Sequence, residues 1–585
     1  MPARRALCKR QSKQCKAAPF DNRPRLWLPG PMHVPRIFAT LDPFIEGADI
    51  MGRKVANAAF LDALARRDPF DAYHFFMPSE RELQRQEGLL AARYPALAGR
   101  GAFKVLTRQD LPAALGATDY AVFHLSDCLT AQARLAAARN ALSRAVFPIT
   151  GGIHSLSYAQ YQRDFLAHLA PATTRRDAIV CTSTAGREAV ATLFDALRRG
   201  YGLTPEAYPA PELALIPLGV EPDDWRRLDG RERAEARAAW GIAPQATVLL
   251  VFGRVSHSSK MDLLPFFRAV QRLIASGLDV SNLVLVVAGW TDDDDPFLGT
   301  LAALAANVGL RLVLARRPDE AAKRRLFGLA DAFASLADNP QETFGLTLLE
   351  AMAASLPVIA SDYDGYRDIV APGRTGWLLP TLGLPRSPAR DVLAPLCYDN
   401  HTHLRLAQAT AVSVPALAEA LAAVLANPGQ ARAMGEAGRE RAVARFTWDT
   451  CVGRHLELWE RLAAQPVPDR ERLAAAPHPW TLAYGEVFAG YPSGKLGDDM
   501  RLVWTRAGQA VYHRQDFPVI YAELSREVLP EALRVLVFLA RGGCPGLTLA
   551  RRLAAAVPGL DEAAAVWHVL WALKQDLLEV QKEPA

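Results

Sequence analysis

Between residues 36 and 360 the chain alternates short apolar runs with longer amphipathic ones, in two successive series. The first series places strands at residues 36–40, 72–76, 120–125, 146–150, 178–182 and 214–217, with helices at 52–65, 130–142 and 186–197 among them. The second places strands at 247–252, 283–288, 312–314, 332–336 and 358–360, with helices at 262–275, 298–308 and 320–329. Apolar runs this short, bounded by turn formers, read as buried strands rather than helices. Strict alternation of strand and helix packs as a parallel sheet covered by helices on both faces. The expected class is therefore α/β, with two doubly wound units joined by a linker near residues 222–232. In such sheets, ligands bind beyond the carboxyl ends of the strands.

A chain of 585 residues exceeds one core. Half of its residues are hydrophobic and 22% are charged, the balance of a soluble globular protein. No apolar run approaches the roughly 18 residues of a membrane span. The net charge of +5 is small for this length, and part of it lies between Arg4 and Arg25, where Asp21 is the sole acid. That segment lacks an apolar core and is not a secretory signal; a basic flexible tail over 1–34 is the expectation. The seven cysteines are scattered and form no C-x-x-C, which fits reduced thiols and argues against a zinc site.

The most informative stretch runs Asn339-Pro340-Gln341-Glu342-Thr343-Phe344-Gly345-Leu346-Thr347-Leu348-Leu349-Glu350-Ala351-Met352-Ala353-Ala354, then Leu356-Pro357-Val358-Ile359-Ala360-Ser361-Asp362. A loop carries Glu342, a helix starting near Gly345 carries Glu350, and a strand follows Pro357. A helix start offers unpaired N–H groups and partial positive charge to an anion. Eight helical residues span at most about 12 Å, so two carboxylates flank that anion site. A nucleoside-diphosphate sugar has the complementary layout of sugar hydroxyls, phosphates and ribose hydroxyls. A bare E-x7-E is more often an amphipathic helix with two solvated glutamates, since glutamates are common on helices.

The whole stretch, with its Phe344-Gly345 and its Pro357-Val358 strand start, resembles the signature of family 4 glycosyltransferases, which have the GT-B fold. It departs from that signature at Ser355, where the family usually has Gly. Phe252-Gly253-Arg254-Val255 followed by Lys260 is similar to the family's diphosphate-binding strand, loop and lysine; cations there stabilise a departing diphosphate. His154, in Thr150-Gly151-Gly152-Ile153-His154-Ser155, matches a family histidine near the donor sugar. Gly47 and Gly52 stand where the family often has a glycine pair, and Gly52 is the favoured counterpart. Met434-Gly435-Glu436-Ala437-Gly438-Arg439 and Arg445-Phe446-Thr447-Trp448 resemble the family's closing part, whose last helix, here about 450–462, crosses back to the first domain. The acidic run Asp292–Asp295 admits a D-x-D metal site, but we read it as a solvated loop. Ser183 lacks a G-x-S-x-G setting and reads as a helix cap.

These readings divide the chain into a tail (1–34), an acceptor domain (35–222), a nucleotide-sugar domain (223–440), a crossover helix (441–465) and an accessory helical module (466–585). Residues 383–413 read as an irregular insertion. In the accessory module, residues 501–512 read as a weak hairpin, Thr548 as a helix cap, and Val566, Val569, Leu570, Leu573 and Leu577 as one apolar face. Three short helices after a hairpin suggest a winged-helix-like module.

The resemblance implies a retaining glycosyltransferase using a nucleotide-sugar donor, with no metal and no other cofactor. It assigns the donor to Gly52, Gly253, Arg254, Lys260, Glu342, Thr343, Phe344, Gly345, Leu346 and Glu350, with His154 beside the reacting sugar. A glycan or lipid-linked acceptor in cell-envelope polysaccharide biosynthesis is implied, at a cytoplasmic site that includes the inner membrane face. The basic residues Arg541, Arg551 and Arg552 are too few to indicate nucleic acid. Two alternatives remain: a nucleotide-sugar-sensing binding protein, and a related epimerase or phosphorylase. No pyridoxal-lysine motif supports a phosphorylase.

Overall fold

The computed structural model describes residues 35–46, 52–291, 296–385, 387–476, 478, 481–525 and 527–581. The basic tail, Gly47 and Asp292–Asp295 lie outside the described residues. The chain forms two compact units, residues 1–480 and 481–585.

The first unit contains both expected sheets. One is built from β1 (Ile37–Thr40), β2 (Ala72–Met77), β3 (Phe103–Thr107), β4 (Val122–Leu125), β5 (Ile149–Gly152), β6 (Asp177–Cys181) and β7 (Glu212–Leu215). Its order is β3-β2-β1-β4-β5-β6-β7, parallel throughout. The other is built from β8 (Thr247–Phe252), β9 (Leu283–Gly289), β10 (Arg311–Arg316), β11 (Ala332–Ser335), β12 (Val358–Ser361) and β13 (Gly376–Leu379). Its order is β10-β9-β8-β11-β12-β13, again parallel. Every residue of β9 is buried, as a strand covered on both faces requires. Strand order reverses between β1 and β4 and between β8 and β11, so the loops after these strands frame the crevices open to ligands.

Two strands, β3 and β13, were not foreseen. Phe103-Lys104-Val105-Leu106-Thr107 is interrupted by a lysine that lies exposed in the folded chain. Gly376-Trp377-Leu378-Leu379 begins with a residue that disfavours strands. Gly376 is nonetheless required there, because a β-carbon would collide with the Val358 carbonyl of β12.

The crossover helix spans Trp448–Ala463. Trp448, Val452, Trp459 and Leu462 pack into the core of the first sheet beside Phe38, Phe60 and Tyr73, and the Trp459 indole N–H donates to Thr150 Oγ1 at 3.0 Å. The chain therefore ends its second Rossmann-like half by returning to the first. Ser355 adopts φ +61°, a left-handed conformation that costs a non-glycine residue roughly 1–2 kcal/mol. This explains in physical terms why glycine suits the position.

The expected irregular insertion is partly regular. Helices Pro388–Leu393 and Asp399–Ala407 lie within it, and a two-stranded antiparallel pair, Thr381–Leu382 with Ala411–Val412, joins its ends. Its prolines obscured these short helices, since Pro388 sits in the first turn, where it is tolerated.

The second unit starts at residue 481, not 466. The helix Arg470–Ala475 stays with the first unit, packed on the helix Gln132–Leu142. The supposed hairpin at 501–512 is a strand, Arg501–Trp504, followed by a helix, Arg506–Tyr512, which Thr505 caps through Gly508 N–H. That strand is central to a small antiparallel sheet with Cys544–Pro545 and Leu578–Val580. Helices Pro530–Leu539, Gly546–Ala556 and Glu562–Lys574 share one core with it. Thr548 does not cap a helix; its N–H donates to Asp498. Leu570 is 47% exposed rather than buried, and His568 shares the inner face with Val569 and Ala572. Its ring nitrogen accepts the Leu529 N–H, which makes a polar residue acceptable at that buried position. Among the described residues no helix is long and apolar enough to cross a membrane.

Candidate functional site: a cleft between the two Rossmann-like halves

The loops at the carboxyl ends of both sheets border one cavity of about 590 Å³. From the first half come Gly52, at the start of the helix Gly52–Arg67, and His154, just after β5. From the second half come Gly253, Arg254 and Lys260 after β8, and Glu342, Thr343, Phe344 and Gly345 before the helix Leu346–Ala353. Leu346 and Glu350 of that helix complete the set. The cleft thus brings together every residue that the sequence assigned to the site.

The backbone of this corner depends on glycine. Gly345 stands immediately before the helix at φ +110°, and a β-carbon there would run into the Tyr366 ring. Gly253 and Gly289 approach so closely that a β-carbon on Gly289 would overlap the Gly253 carbonyl. At the far end of the helix, the Arg439 guanidinium donates to the Ala353 carbonyl, and also to Trp225 O at 3.0 Å and Pro222 O at 3.2 Å. It satisfies a terminal carbonyl and favours the negative end of the helix. It also ties that end to the linker between the halves.

Glu342 is engaged on both oxygens. Lys260 Nζ donates to Oε2, which also accepts from the Tyr366 hydroxyl at 3.3 Å. The Thr343 and Phe344 N–H groups lie 3.3 and 3.4 Å from Oε1. Burial pushes the Glu342 carboxyl up, but the Lys260 charge and these hydrogen bonds outweigh it and hold the group below its ordinary range. Lys260 is therefore not a free cation: it pairs with the glutamate. Arg254 is exposed and pairs with no carboxylate among the described residues.

Glu350 is satisfied on one side only. Lys323 donates to Oε1 at 2.7 Å, while Oε2 is buried without a partner among the described residues. Burial is the largest influence and raises this carboxyl, with Lys323 opposing it. Lys323 was absent from the sequence-based assignment, although it lies on the helix Glu320–Leu329 facing the cleft. Its ammonium also sits over the Trp225 and Phe252 rings, at 5.1 and 5.4 Å. Thr347, likewise missed, lines the cleft with a buried hydroxyl that has no partner among the described residues. Both unpartnered atoms are of the kind a ligand satisfies.

On the first-half side, His154 Nε2–H donates to the Ser126 carbonyl at 2.7 Å. Burial depresses its pKa, with the Ser126 contact opposing, so the neutral imidazole leaves Nδ1 as an acceptor. Asp127 also lines the cleft. Its Oδ1 accepts the Leu129 and Thr130 N–H groups, at 2.6 and 3.2 Å. Ser183 is the helix cap expected of it, accepting from Gly186 N–H at 2.9 Å. It also meets Asp364 of the second half at 3.4 Å, while Thr184 N–H donates to Asp368 at 2.6 Å. These contacts fasten the two halves at a seam beside the cleft. Among the described residues no cluster of three or more His, Cys, Asp or Glu side chains is arranged to hold a metal.

Residues 232–383 match the family model of glycosyl transferases group 1. A D-inositol 3-phosphate glycosyltransferase of Streptomyces avermitilis is 37% identical over 174 residues, 29% of this chain and 36% of the relative. A GDP-mannose-dependent alpha-(1-6)-phosphatidylinositol monomannoside mannosyltransferase of Mycobacterium tuberculosis is 29% identical over 255 residues, 42% of this chain and 55% of the relative. The chain thus spans 36% to 55% of the length of these two relatives. The structure of Anabaena Alr3699/HepE in complex with UDP superposes with a TM-score of 0.50 at 15% identity, covering 73% of this chain and all of that one. The fold is GT-B: two Rossmann-like domains facing a cleft, here followed by a mainly helical C-terminal module.

Proposed function

We propose that the protein is a retaining glycosyltransferase of family 4 type, moving a sugar from a nucleoside-diphosphate donor to a glycan or lipid-linked acceptor. The observation that carries this reading is the half-satisfied Glu350 at a helix whose start faces Glu342, Lys260 and Arg254 in one cleft. The unpartnered Glu350 oxygen accepts a ribose hydroxyl. Arg254, Lys260 and the helix start at Gly345 neutralise the diphosphate, and the Thr347 hydroxyl donates to it. Glu342 holds hydroxyls of the donor sugar, exchanging part of its Lys260 contact for the ligand. His154 and Gly52 close the site from the first half. The named activities of the two relatives, on an inositol phosphate and on a phosphatidylinositol mannoside, support a polyol or lipid-linked acceptor and a role in cell-envelope biosynthesis at the cytoplasmic membrane face.

Retention follows from front-face displacement. The acceptor oxygen bonds to the anomeric carbon on the face from which the diphosphate departs, and the acceptor proton passes to the leaving phosphate oxygen. Asp127, a carboxylate on the first-half wall, accepts two backbone N–H groups through Oδ1, the role of a loop cap. The protein's part is alignment and charge stabilisation.

The test is to incubate purified protein with a panel of nucleotide-sugars and measure release of nucleoside diphosphate. At least one donor is expected to turn over, and to do so equally after exhaustive chelation with EDTA, because side chains and a helix start supply the positive charge. Turnover lost on chelation and restored by manganese or magnesium would show that a metal, and not Arg254 and Lys260, carries the diphosphate charge.

A further inference from the structure

The insertion between Thr381–Leu382 and Ala411–Val412 reaches across the cleft. Its helix Asp399–Ala407 belongs by sequence to the second half, yet it meets the first-half loop that follows His154 at three points. Asp399 Oδ1 accepts the Ala159 N–H at 3.2 Å. His403 Nε2–H donates to the Ser157 carbonyl at 3.1 Å. The His403 ring stands edge-on to Tyr158, 5.3 Å between centroids. The opposite ring nitrogen, Nδ1, accepts from the Gln341 side-chain amide at 2.6 Å, and Gln341 directly precedes Glu342. His403 is 1% exposed.

We propose that the helix Asp399–Ala407 forms a clasp between the two halves, in which His403 is a positioning residue locking the loop 155–161 of the first half to the Glu342 loop of the second. This rests on the proposed function, because it makes the clasp a device for assembling the acceptor side of that site. The imidazole is suited to the task. One neutral tautomer supplies a donor and an acceptor on opposite edges of a rigid ring, so a single buried side chain reads both loops together. Tyr158 lines the cleft, and the loop begins beside His154; letting it go would move the acceptor-side wall. The His403 side chain itself does not line the cleft, so its loss removes no direct contact to a bound nucleotide.

Hydrogen–deuterium exchange on the free full-length protein tests the clasp. In His403→Ala, amides in residues 155–161 are expected to exchange about tenfold faster, as loss of about one net hydrogen bond implies, with the strands β5, β6, β11 and β12 unchanged. His403→Gln, whose amide keeps a donor near the Nε2 position, is expected to recover most of that protection. Unchanged exchange at 155–161 in a folded His403→Ala protein overturns the proposal. So does faster exchange throughout the first half in both variants, which marks a general structural role. Calorimetric titration with UDP and GDP forms the second arm. The affinity of whichever binds is expected to stay within about twofold in His403→Ala, and a tenfold loss contradicts a role confined to the acceptor side. If neither binds the wild-type protein, the functional reading is in doubt, while the exchange result still decides whether the clasp exists.

Discussion

Glu342→Gln is expected to lower sugar transfer at least about a hundredfold while the protein remains folded. Loss of one preorganised electrostatic group in an active site is worth about that much. The substitution keeps the shape of the side chain but removes the charge that pairs with Lys260 and accepts from the Tyr366 hydroxyl and two backbone N–H groups. Lys260 is then left partly buried and without its carboxylate, in the proposed donor-sugar site. Steady-state release of nucleoside diphosphate, with circular dichroism as a check on folding, measures the effect. A folded variant that turns over near the wild-type rate removes Glu342 from the reaction.

The largest expected effect on stability lies away from the cleft, at Arg139. Its guanidinium is fully buried and forked onto Asp177, at 2.7 and 3.1 Å, while also donating to the Phe147 carbonyl at 2.8 Å and Asn140 Oδ1 at 3.0 Å. Asp177 begins β6 and accepts the Thr174 N–H and hydroxyl as well. The network therefore joins the helix Gln132–Leu142 to the amino end of β6, inside the first sheet. Arg139→Met strands a buried carboxylate, which costs about 3–5 kcal/mol, a large share of the roughly 5–15 kcal/mol that holds a domain folded. Chemical denaturation is expected to show the first half unfolding much earlier. The double variant Arg139→Met, Asp177→Leu is expected to regain most of the loss, because no unpaired charge remains. A single variant within 1 kcal/mol of wild type would mean that water or a neighbouring group satisfies Asp177 unaided.

Much of the second half was legible because its strands are short, apolar and regularly spaced. Thr247–Phe252 and Glu320–Leu329 fall where the pattern places them. The linear site residues were legible for the same reason: Glu342 to Glu350 fall within one loop and helix. What the sequence could not reveal depended on partners distant in the chain. Lys323 looks like any helical lysine until Glu350 is found facing it across the fold, 27 residues on. Gln341 and His403 become meaningful only once an insertion is seen to bridge two domains. Arg501–Tyr512 misled because a strand and a helix share a weak alternation, and Thr505, which ends the strand by capping the helix, is an ordinary strand residue in composition. Leu570 misled because its helix has two apolar sides, and burial of His568 turned the other one inward.

The proposed function requires the cleft to bind a nucleoside-diphosphate sugar through Glu350 and the adjoining helix start. Its most direct test is calorimetric titration of the full-length wild-type protein and Glu350→Gln with the nucleotide-sugar that turns over. Saturable binding to the wild type is expected, weakened about tenfold or more in the variant, as loss of a hydrogen bond to a charged group implies. Equal affinity in both proteins, or no binding of any nucleotide-sugar to the wild type, would contradict the account.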